Sequence, residues 1–224
     1  MSGKARRPAP RPPGEPKGAA EPARKLRADG RRNRERLIEA AKAAFGDAGA
    51  DVSLEEIARR AGVGIGTLYR HFPTREAIVE AVYRREVIHL AGAAARLIGS
   101  MPPGEALHQW MRLFVDYIAT KKLIAAALGA IAGRGSNLYS FSAELITDAV
   151  ALLVDQARAA GDIRPDIDPG DLLRALAGLT YGNSDPGWQA SALRLIDILM
   201  DGLRTPGARA ALTPPDRDAP RSRA

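Results

Sequence analysis

The sequence predicts an all-α protein of about nine helices, and three observations lead to that fold class. Nearly every segment between residues 31 and 204 repeats its apolar residues every three or four positions, which is the helical period. No stretch alternates apolar and polar residues convincingly at the period of two that is typical of a half-buried strand. Several periodic segments also end at a glycine or a proline, the residues that commonly mark a helix boundary.

Three helices are predicted first. One spans residues 31–47, and a second begins after Ser53, whose hydroxyl can form a capping box with Glu56 three residues later. The second helix is expected to stop at Gly62, and a short third helix follows over about 67–72. These three elements predict a small N-terminal unit.

Six further helices predict a larger C-terminal unit over residues 74–204, after an N-terminal unit over 27–73. The first of the six begins with Thr74 as its cap and continues towards Gly99. The later helices are predicted at about 102–119, 121–131, 142–160, 170–182 and 188–204.

The two ends of the chain are predicted to be disordered. Residues 1–26 form a basic, proline-rich arm, and residues 205–224 form a second proline-containing tail. Such segments contain too little apolar side chain to offset the entropy lost on ordering. Residues 1–36 hold twelve basic and four acidic residues, a net charge of +8 against +7 for the whole chain. The positive excess therefore lies in this arm and at the start of the first helix, where it can add phosphate contacts or reach a minor groove if the chain binds nucleic acid.

Composition excludes several classes of protein. The chain has no cysteine, which excludes disulfides, thiol chemistry and cysteine-based zinc sites. Its three histidines are widely separated, so neither a metal site nor another cofactor is predicted. No run reaches the ~18 apolar residues of a membrane helix, and the basic N-terminus lacks the apolar core of a secretory signal. Without a membrane helix or a secretory signal, the protein is expected to be cytoplasmic. His89 and His108 have no acidic partner at a useful spacing and no catalytic constellation is recognised, so we expect a protein that is not an enzyme.

The most informative segment is residues 53–75, where two short helices are joined by a tight turn. The spacing of small Ala58, turn-forming Gly62 and apolar Leu68 is what a helix-turn-helix needs for its two helices to cross closely and pack together. Such packing leaves the polar side chains of the second helix on an outward face. A recognition helix in a DNA major groove requires that face.

Residues 31–78 resemble the DNA-binding domain of the TetR family of transcriptional regulators. The resemblance rests on the strings Ala40-Ala-Lys-Ala-Ala-Phe45, Ser53-Leu-Glu-Glu-Ile-Ala-Arg-Arg-Ala-Gly-Val63 and Gly66-Thr-Leu-Tyr-Arg-His-Phe72. Beyond this domain the likeness is one of helix layout, and three short stretches resemble the SbtR-like subset of the family. They are residues 119–121, 161–165 and 168–171.

The resemblance implies which residues contact double-stranded DNA. Ser53 and Arg75 would contact backbone phosphates, and the outward face of the third helix would contact phosphates or base edges. The full set is Arg31, Arg32, Ser53, Gly64, Gly66, Thr67, Tyr69, Arg70, His71 and Arg75. Two alternatives stay open for Arg70, which either reads a guanine by a bidentate contact or projects sideways as a solvated charge. Many relatives have a serine where Gly64 stands, so one hydroxyl-to-phosphate bond is lost here.

Six aromatic residues of the C-terminal unit are candidates for an effector-binding cavity. They are Trp110, Phe114, Tyr117, Tyr139, Phe141 and Tyr181. Simple core packing is the first interpretation of each. In a second interpretation, which the family resemblance supports, some of them line a cavity for an apolar ligand with a few polar anchors.

The last two helices, about 170–182 and 188–204, are apolar over more than one face. A second apolar face needs burial, which a four-helix interface across the two-fold axis of a homodimer provides. Such a dimer holds two recognition helices about one DNA turn apart. The predicted function is a sequence-specific transcriptional repressor, released from a palindromic operator by a small-molecule effector. The alternative is an architectural DNA-binding protein that responds to no effector.

Overall fold

A computed structural model describes residues 20–49, 51–132, 138–181 and 185–207, without the side chains of residues 20–27, Ala130, Ala132 and Tyr181. Within those ranges the chain forms nine helices and no strand, which confirms the predicted all-α class. The helices are α1 (Ala20–Ala48), α2 (Leu54–Arg60), α3 (Ile65–His71), α4 (Arg75–Ile98), α5 (Pro103–Leu123), α6 (Ala125–Ala132), α7 (Leu138–Ala159), α8 (Pro169–Tyr181) and α9 (Trp188–Leu203). None of these described helices combines the length and apolar character needed to cross a membrane.

The helices α1, α2 and α3 pack against one another, and together they are called the small unit. Ser53 caps α2, because its Oγ accepts a hydrogen bond from the backbone N–H of Glu56 at 3.1 Å. Gly62 has a φ of +64°, the left-handed conformation that the turn before α3 requires and that favours glycine. The core of this unit is made of buried apolar side chains from all three helices and the segment after them, namely Leu37, Ala41, Phe45, Ile57, Ala58, Ala61, Leu68 and Phe72.

Helix α1 begins at Ala20, well before the predicted start at residue 31, so residues 20–26 of the expected disordered arm are helical. Two properties of the sequence explain this. The proline at position 22 lies in the first turn, where its missing N–H leaves no intrahelical bond unmade. The following residues are mostly alanine, arginine, lysine and leucine, which have high helix propensity. The rest of the arm, residues 1–19, lies outside the described residues.

Helix α4 joins the two units. Thr74 is its cap, as predicted, and its Oγ1 accepts from the backbone N–H of Ala77 at 3.2 Å. With 24 residues the helix is about 36 Å long. It packs against α1 of the small unit and against α5, α6 and α7. Helices α5 to α9, with the part of α4 that packs on them, form the larger unit, which is called the body. A shift of α4 would therefore be felt in both units.

The body differs from prediction in three helix boundaries. Helix α5 continues to Leu123 instead of ending near residue 119, and the buried Ile124 separates it from α6, which begins at Ala125 instead of residue 121. No glycine or proline lies between residues 105 and 128, so the sequence does not mark the position of the predicted break. Helix α7 begins at Leu138 instead of residue 142.

The last helix is tied to the turn that follows α7. The N–H of Arg164 donates to the carbonyl of Leu203 at 2.9 Å, and the N–H of Thr205 donates to the carbonyl of Asp162 at 3.1 Å. Thr205 was predicted to begin a disordered tail, but these bonds fix the first residue of that segment. The remaining tail, residues 208–224, lies outside the described residues.

Candidate nucleic-acid interface

The two faces of α3 have opposite roles. Leu68 is fully buried and fixes the helix on the core of the small unit. Tyr69 is 46% exposed and Arg70 is also exposed, whereas Thr67 is half-buried. The side chains of Tyr69 and Arg70 make no hydrogen bond or ion pair with any residue that the structure describes. Their donor groups are therefore available to an acceptor outside the protein.

Glycine at positions 64 and 66 leaves the start of α3 open. Gly64 precedes the helix with φ −69°, a conformation that any residue adopts. A Cβ atom placed at Gly64 or Gly66 would meet no atom within 4 Å. Packing within the chain therefore does not require either glycine. Their common effect is a bare surface that another molecule's backbone can approach closely.

Ser53 and Arg75 lie at the same edge of the small unit. The Nη2 of Arg75 donates to the carbonyl of Val52 at 2.6 Å, which fastens the start of α4 to the residue before Ser53. The hydroxyl of Ser53 is exposed and uses its oxygen for the cap, so its hydrogen remains for donation. The two predicted phosphate-contacting residues are thus brought together, with Arg75 also holding this edge in place.

His71 faces α1 more than the outside. Its ring is half-buried, and its centroid lies 6.4 Å from that of Phe72. A Cβ atom placed at Gly30 of α1 would lie 4.0 Å from the Cε1 atom of His71. The next residues of α1, Arg31 and Arg32, are exposed, and Arg32 forms an ion pair with Asp29. The basic segment of α1 therefore lies beside the C-terminal end of α3.

A cluster of charged side chains joins α2 to the end of α1. Glu56 accepts from Arg59 at 2.7 and 2.8 Å and from Arg60 at 2.7 Å, and Arg60 also reaches Asp47 at 2.5 Å. These hydrogen bonds hold the pKa of Glu56 at about 2, below its ordinary value of 4.5. The carboxylate of Glu56 is thus directed to the arginines instead of completing the predicted capping box.

Three of the six predicted effector-binding aromatics form a packed stripe along α5. Trp110, Phe114 and Tyr117 are buried, with ring centroids 6.0 and 5.7 Å apart in sequence order. The Nε1 of Trp110 donates to the carbonyl of Leu90 in α4 at 2.8 Å. The fold therefore uses the polar atom of the largest of these side chains to join α5 to α4.

A buried hydroxyl network lies at the end of this stripe. The hydroxyls of Tyr83 and Tyr117 are 3.1 Å apart, and Tyr83 also donates to the Oγ of Ser142 at 2.8 Å. Ser142 in turn donates to the carbonyl of Tyr139 at 2.9 Å. Tyr83 and Ser142 were not predicted as site residues, because residues 59 positions apart on two helices carry no sequence signal of contact.

Tyr139 and Phe141 are less buried than the stripe along α5 and contact different side chains. Tyr139 is 41% exposed, although its ring lies edge-on to that of Tyr83 at 6.4 Å. Phe141 is half-buried, and the guanidinium of Arg84 lies 4.8 Å from its ring centroid. The side chain of Tyr181 lies outside the described residues. Their role in effector binding stays a prediction.

His108 has an acidic partner that its sequence neighbourhood does not show. Its Nε2 lies 2.8 Å from the Oδ1 of Asp197 in α9, and Arg112 donates to the same oxygen at 3.0 Å. The expectation of no acidic partner for His108 is therefore wrong, since α9 supplies one from 89 positions away. The pair joins α5 to α9. In the part of the chain that the structure describes, no three histidine or carboxylate side chains form a possible metal site.

Helix α9 has a second apolar face that no described residue covers. Ala192, Ile196 and Met200 are buried against the body. Leu195 is exposed, and Ile198 is 67% exposed. Asp168 caps the neighbouring α8, since its carboxylate accepts from the backbone N–H of Asp171 at 2.9 Å.

Comparison with known proteins gives the same family for both units. Residues 37–82 match the family described as bacterial regulatory proteins, tetR family, and residues 102–205 match the SbtR-like transcriptional regulator C-terminal domain. A TetR transcriptional regulator from Streptomyces coelicolor is 47% identical, with a TM-score of 0.71 over 77% of this chain and 99% of that one. A TetR transcription regulatory protein from Mycobacterium vanbaalenii is 35% identical, with a TM-score of 0.67 over 80% and 99%. The regulator UidR of Escherichia coli is 30% identical over 164 residues, 66% of this chain and 78% of UidR.

Proposed function

Since the chain belongs to the TetR family of transcriptional regulators, with an SbtR-like C-terminal domain, we propose that it represses transcription from a near-palindromic DNA operator. Regulators of this family are typically repressors. In this proposal the protein acts in the cytoplasm as a homodimer and leaves the operator when a small-molecule effector binds the body.

The observation that carries the DNA-binding part is the outward face of α3. Tyr69 and Arg70 are exposed and unpaired among the described residues, and Leu68 holds their helix rigidly from behind. Gly64 and Gly66 leave room for a phosphate backbone at the start of the same helix. A rigid helix with unused donors on one face supports insertion into a major groove, where base edges present hydrogen-bond acceptors.

The second apolar face of α9 supports the homodimer. An exposed isoleucine and leucine on one helix cost stability in water, and a two-fold axis buries both copies of the same patch at once. Pairing through α8 and α9 leaves the two α3 helices at the far end of the molecule. There they are free to enter successive major grooves.

Helix α4 supports the release mechanism. It starts at the DNA-facing edge, where Arg75 holds Val52, and it runs into the body, where Leu90 accepts from Trp110. An effector that binds better to a body with a displaced α4 would shift the population away from the DNA-binding arrangement. A coupling of about 1–3 kcal/mol is sufficient to change operator affinity several-fold or more.

A gel-shift titration of the DNA on either side of the protein's own gene tests the proposal. We expect a discrete complex with two protomers per duplex that survives an excess of random competitor DNA. Tyr69→Ala should abolish it, whereas Tyr139→Ala, an equally exposed tyrosine in the body, should not. Equal affinity for the gene's flanks and for random DNA would contradict the proposal and favour the architectural alternative.

Sedimentation of the full chain tests the dimer separately. Ile198→Glu places a charge on the exposed face of α9 and should convert the dimer to a monomer. Ile88→Glu is the matched control, because Ile88 is a similarly exposed isoleucine on α4, away from α8 and α9. A dimer that withstands Ile198→Glu but not Ile88→Glu would contradict the proposed interface.

A further inference from the structure

A cavity of about 380 Å³ lies where the small unit meets the body, between α1, α4 and α5. Its volume falls in the range of about 300–1,000 Å³ that is typical of small-molecule sites. Leu90 and Ala93 of α4 and Tyr117 of α5 are buried at its floor. Of the five predicted effector-binding aromatics whose side chains the structure describes, Tyr117 alone lines it.

One wall of the cavity is an ion pair between the two units. The Nζ of Lys42 in α1 lies 2.8 Å from the Oε2 of Glu86 in α4, and the Glu86 side chain is 9% exposed. These two charges satisfy each other. They therefore do not call for a charged ligand, but they place the DNA-binding unit in direct contact with whatever occupies the cavity.

The rim carries two charges that no described residue neutralises. Arg96 is exposed and makes one long hydrogen bond of 3.4 Å, from its Nη2 back to the carbonyl of His89. Asp116 is exposed on the facing helix α5, and its carboxylate forms no ion pair within the described ranges. The rim therefore presents one guanidinium and one carboxylate around an apolar floor.

We propose that this cavity binds an amino-acid-type zwitterion with an apolar side chain. The ligand carboxylate pairs with Arg96, whose planar guanidinium suits a carboxylate, and the ligand ammonium pairs with Asp116. The apolar side chain lies on Leu90 and Ala93. A plain carboxylic acid meets repulsion from Asp116, and a plain amine meets repulsion from Arg96, so a molecule with both charges fits better than either.

Because Lys42 belongs to the small unit, ligand binding in the cavity should change the affinity for DNA. This effect rests on the proposed function. A ligand held between α1, α4 and α5 contacts the DNA-binding unit and the body together. If the Lys42–Glu86 pair rearranges around the ligand, the angle between α1 and α4 changes and the population shifts. Occupancy of the cavity itself requires no DNA.

Isothermal titration calorimetry on the full chain tests the site without DNA. The measured ligand affinity therefore remains interpretable even if the proposed DNA-binding function fails. L-leucine and L-phenylalanine are the zwitterionic probes. The analogues 4-methylpentanoate and 3-methylbutylamine each keep the apolar body of leucine and one charge. We expect at least one amino acid to bind and both single-charge analogues to bind more weakly.

Charge-removing variants locate the binding. Arg96→Gln and Asp116→Asn alter exposed side chains, and each should weaken amino-acid binding about tenfold or more, because each removes a charged hydrogen-bond partner. Arg164→Gln and Asp148→Asn, exposed positions in the turn after α7 and on α7, are controls that should bind as the wild type does. No heat from either amino acid, equal binding of the single-charge analogues, or unchanged binding in both rim variants would overturn the proposal.

Discussion

The outward face of α3 and the aromatic stripe of α5 differ in how the fold uses their polar atoms. Tyr69 and Arg70 make no bond with the described residues, whereas Trp110 donates to the carbonyl of Leu90 and Tyr117 shares a hydroxyl contact with Tyr83. Removing a side chain from the face of α3 should therefore change the free energy of unfolding little. The stripe of α5 holds two helices together. Substitutions on α3 should accordingly weaken DNA binding without lowering stability, and substitutions in the stripe of α5 should lower stability.

Trp110→Ala should have the largest effect on folding. The fully buried indole fills the space between α5 and α4, and its removal leaves a cavity and deletes the hydrogen bond from Trp110 to the carbonyl of Leu90. We expect the free energy of unfolding to fall by about 3–5 kcal/mol, measured by urea denaturation. The folded fraction should keep its DNA affinity. A loss of DNA binding without destabilisation would show that Trp110 serves an interface instead of the core.

Arg70→Ala should show the opposite pattern. If the guanidinium reads a guanine, DNA affinity falls by about 1–3 kcal/mol with relaxed preference at one base pair, while stability stays within about 0.5 kcal/mol. Fluorescence anisotropy against operator variants measures both quantities. Arg59→Ala is the matched control, because that exposed arginine is already paired with Glu56. An affinity loss equal on all sequences would identify Arg70 as a phosphate contact or a solvated charge.

Tyr83→Phe should have a smaller effect, confined to the body. The substitution removes one hydroxyl from the network with Tyr117 and Ser142, while Ser142 keeps its bond to the carbonyl of Tyr139. We expect a loss of about 1 kcal/mol in the free energy of unfolding. Tyr139→Phe, at an exposed ring, should change it by less than about 0.5 kcal/mol. Equal losses in the two variants would contradict a special role for the buried hydroxyls.

The smallest effect concerns acid conditions at α2. The pKa of Glu56 is lowered to about 2 by Arg59 and Arg60, so its carboxylate is ionised in the folded state at pH values where an ordinary glutamate is protonated. Its contribution to stability is present above about pH 4.5 and is lost as the pH falls towards 2. An NMR titration of the Glu56 carboxyl carbon checks this. In Arg59→Ala the pKa should move up towards 4.5, and an unchanged value would contradict the assignment.

The sequence predicts the small unit better than the body for a physical reason. Ser53, Gly62 and Leu68 act over a few residues, since a cap, a left-handed turn and a buried anchor are local devices with recognisable residue types. Their placement in the structure matches prediction. Other boundaries are predicted wrongly. The start of α1 is predicted too late, because the prolines and charges before residue 27 indicate a disordered arm, and the break at Ile124 is predicted near residue 120, because no glycine or proline marks its position.

Most of the features that could not be predicted from the sequence are contacts between different helices. The pairs Tyr83–Ser142 and His108–Asp197 form across 59 and 89 positions, and no local pattern marks either one. The aromatic stripe of α5 has the spacing expected both of a packed core and of a cavity wall. Exposure decides between the two, and exposure depends on neighbours from other helices. The cavity rimmed by Arg96 and Asp116 is for the same reason visible in the structure alone.

The central claim is that the outward face of α3 reads DNA from a two-fold dimer. The most direct test is selection of bound duplexes from a random pool by the wild-type chain and by the double variant Tyr69→Ala/Arg70→Ala, both confirmed as folded. We expect the wild type to enrich a near-palindrome with half-sites ~10 bp apart or a multiple of that spacing, and the double variant to enrich nothing. Enrichment of the same sequence by the double variant, or of no symmetric sequence by the wild type, would contradict the account.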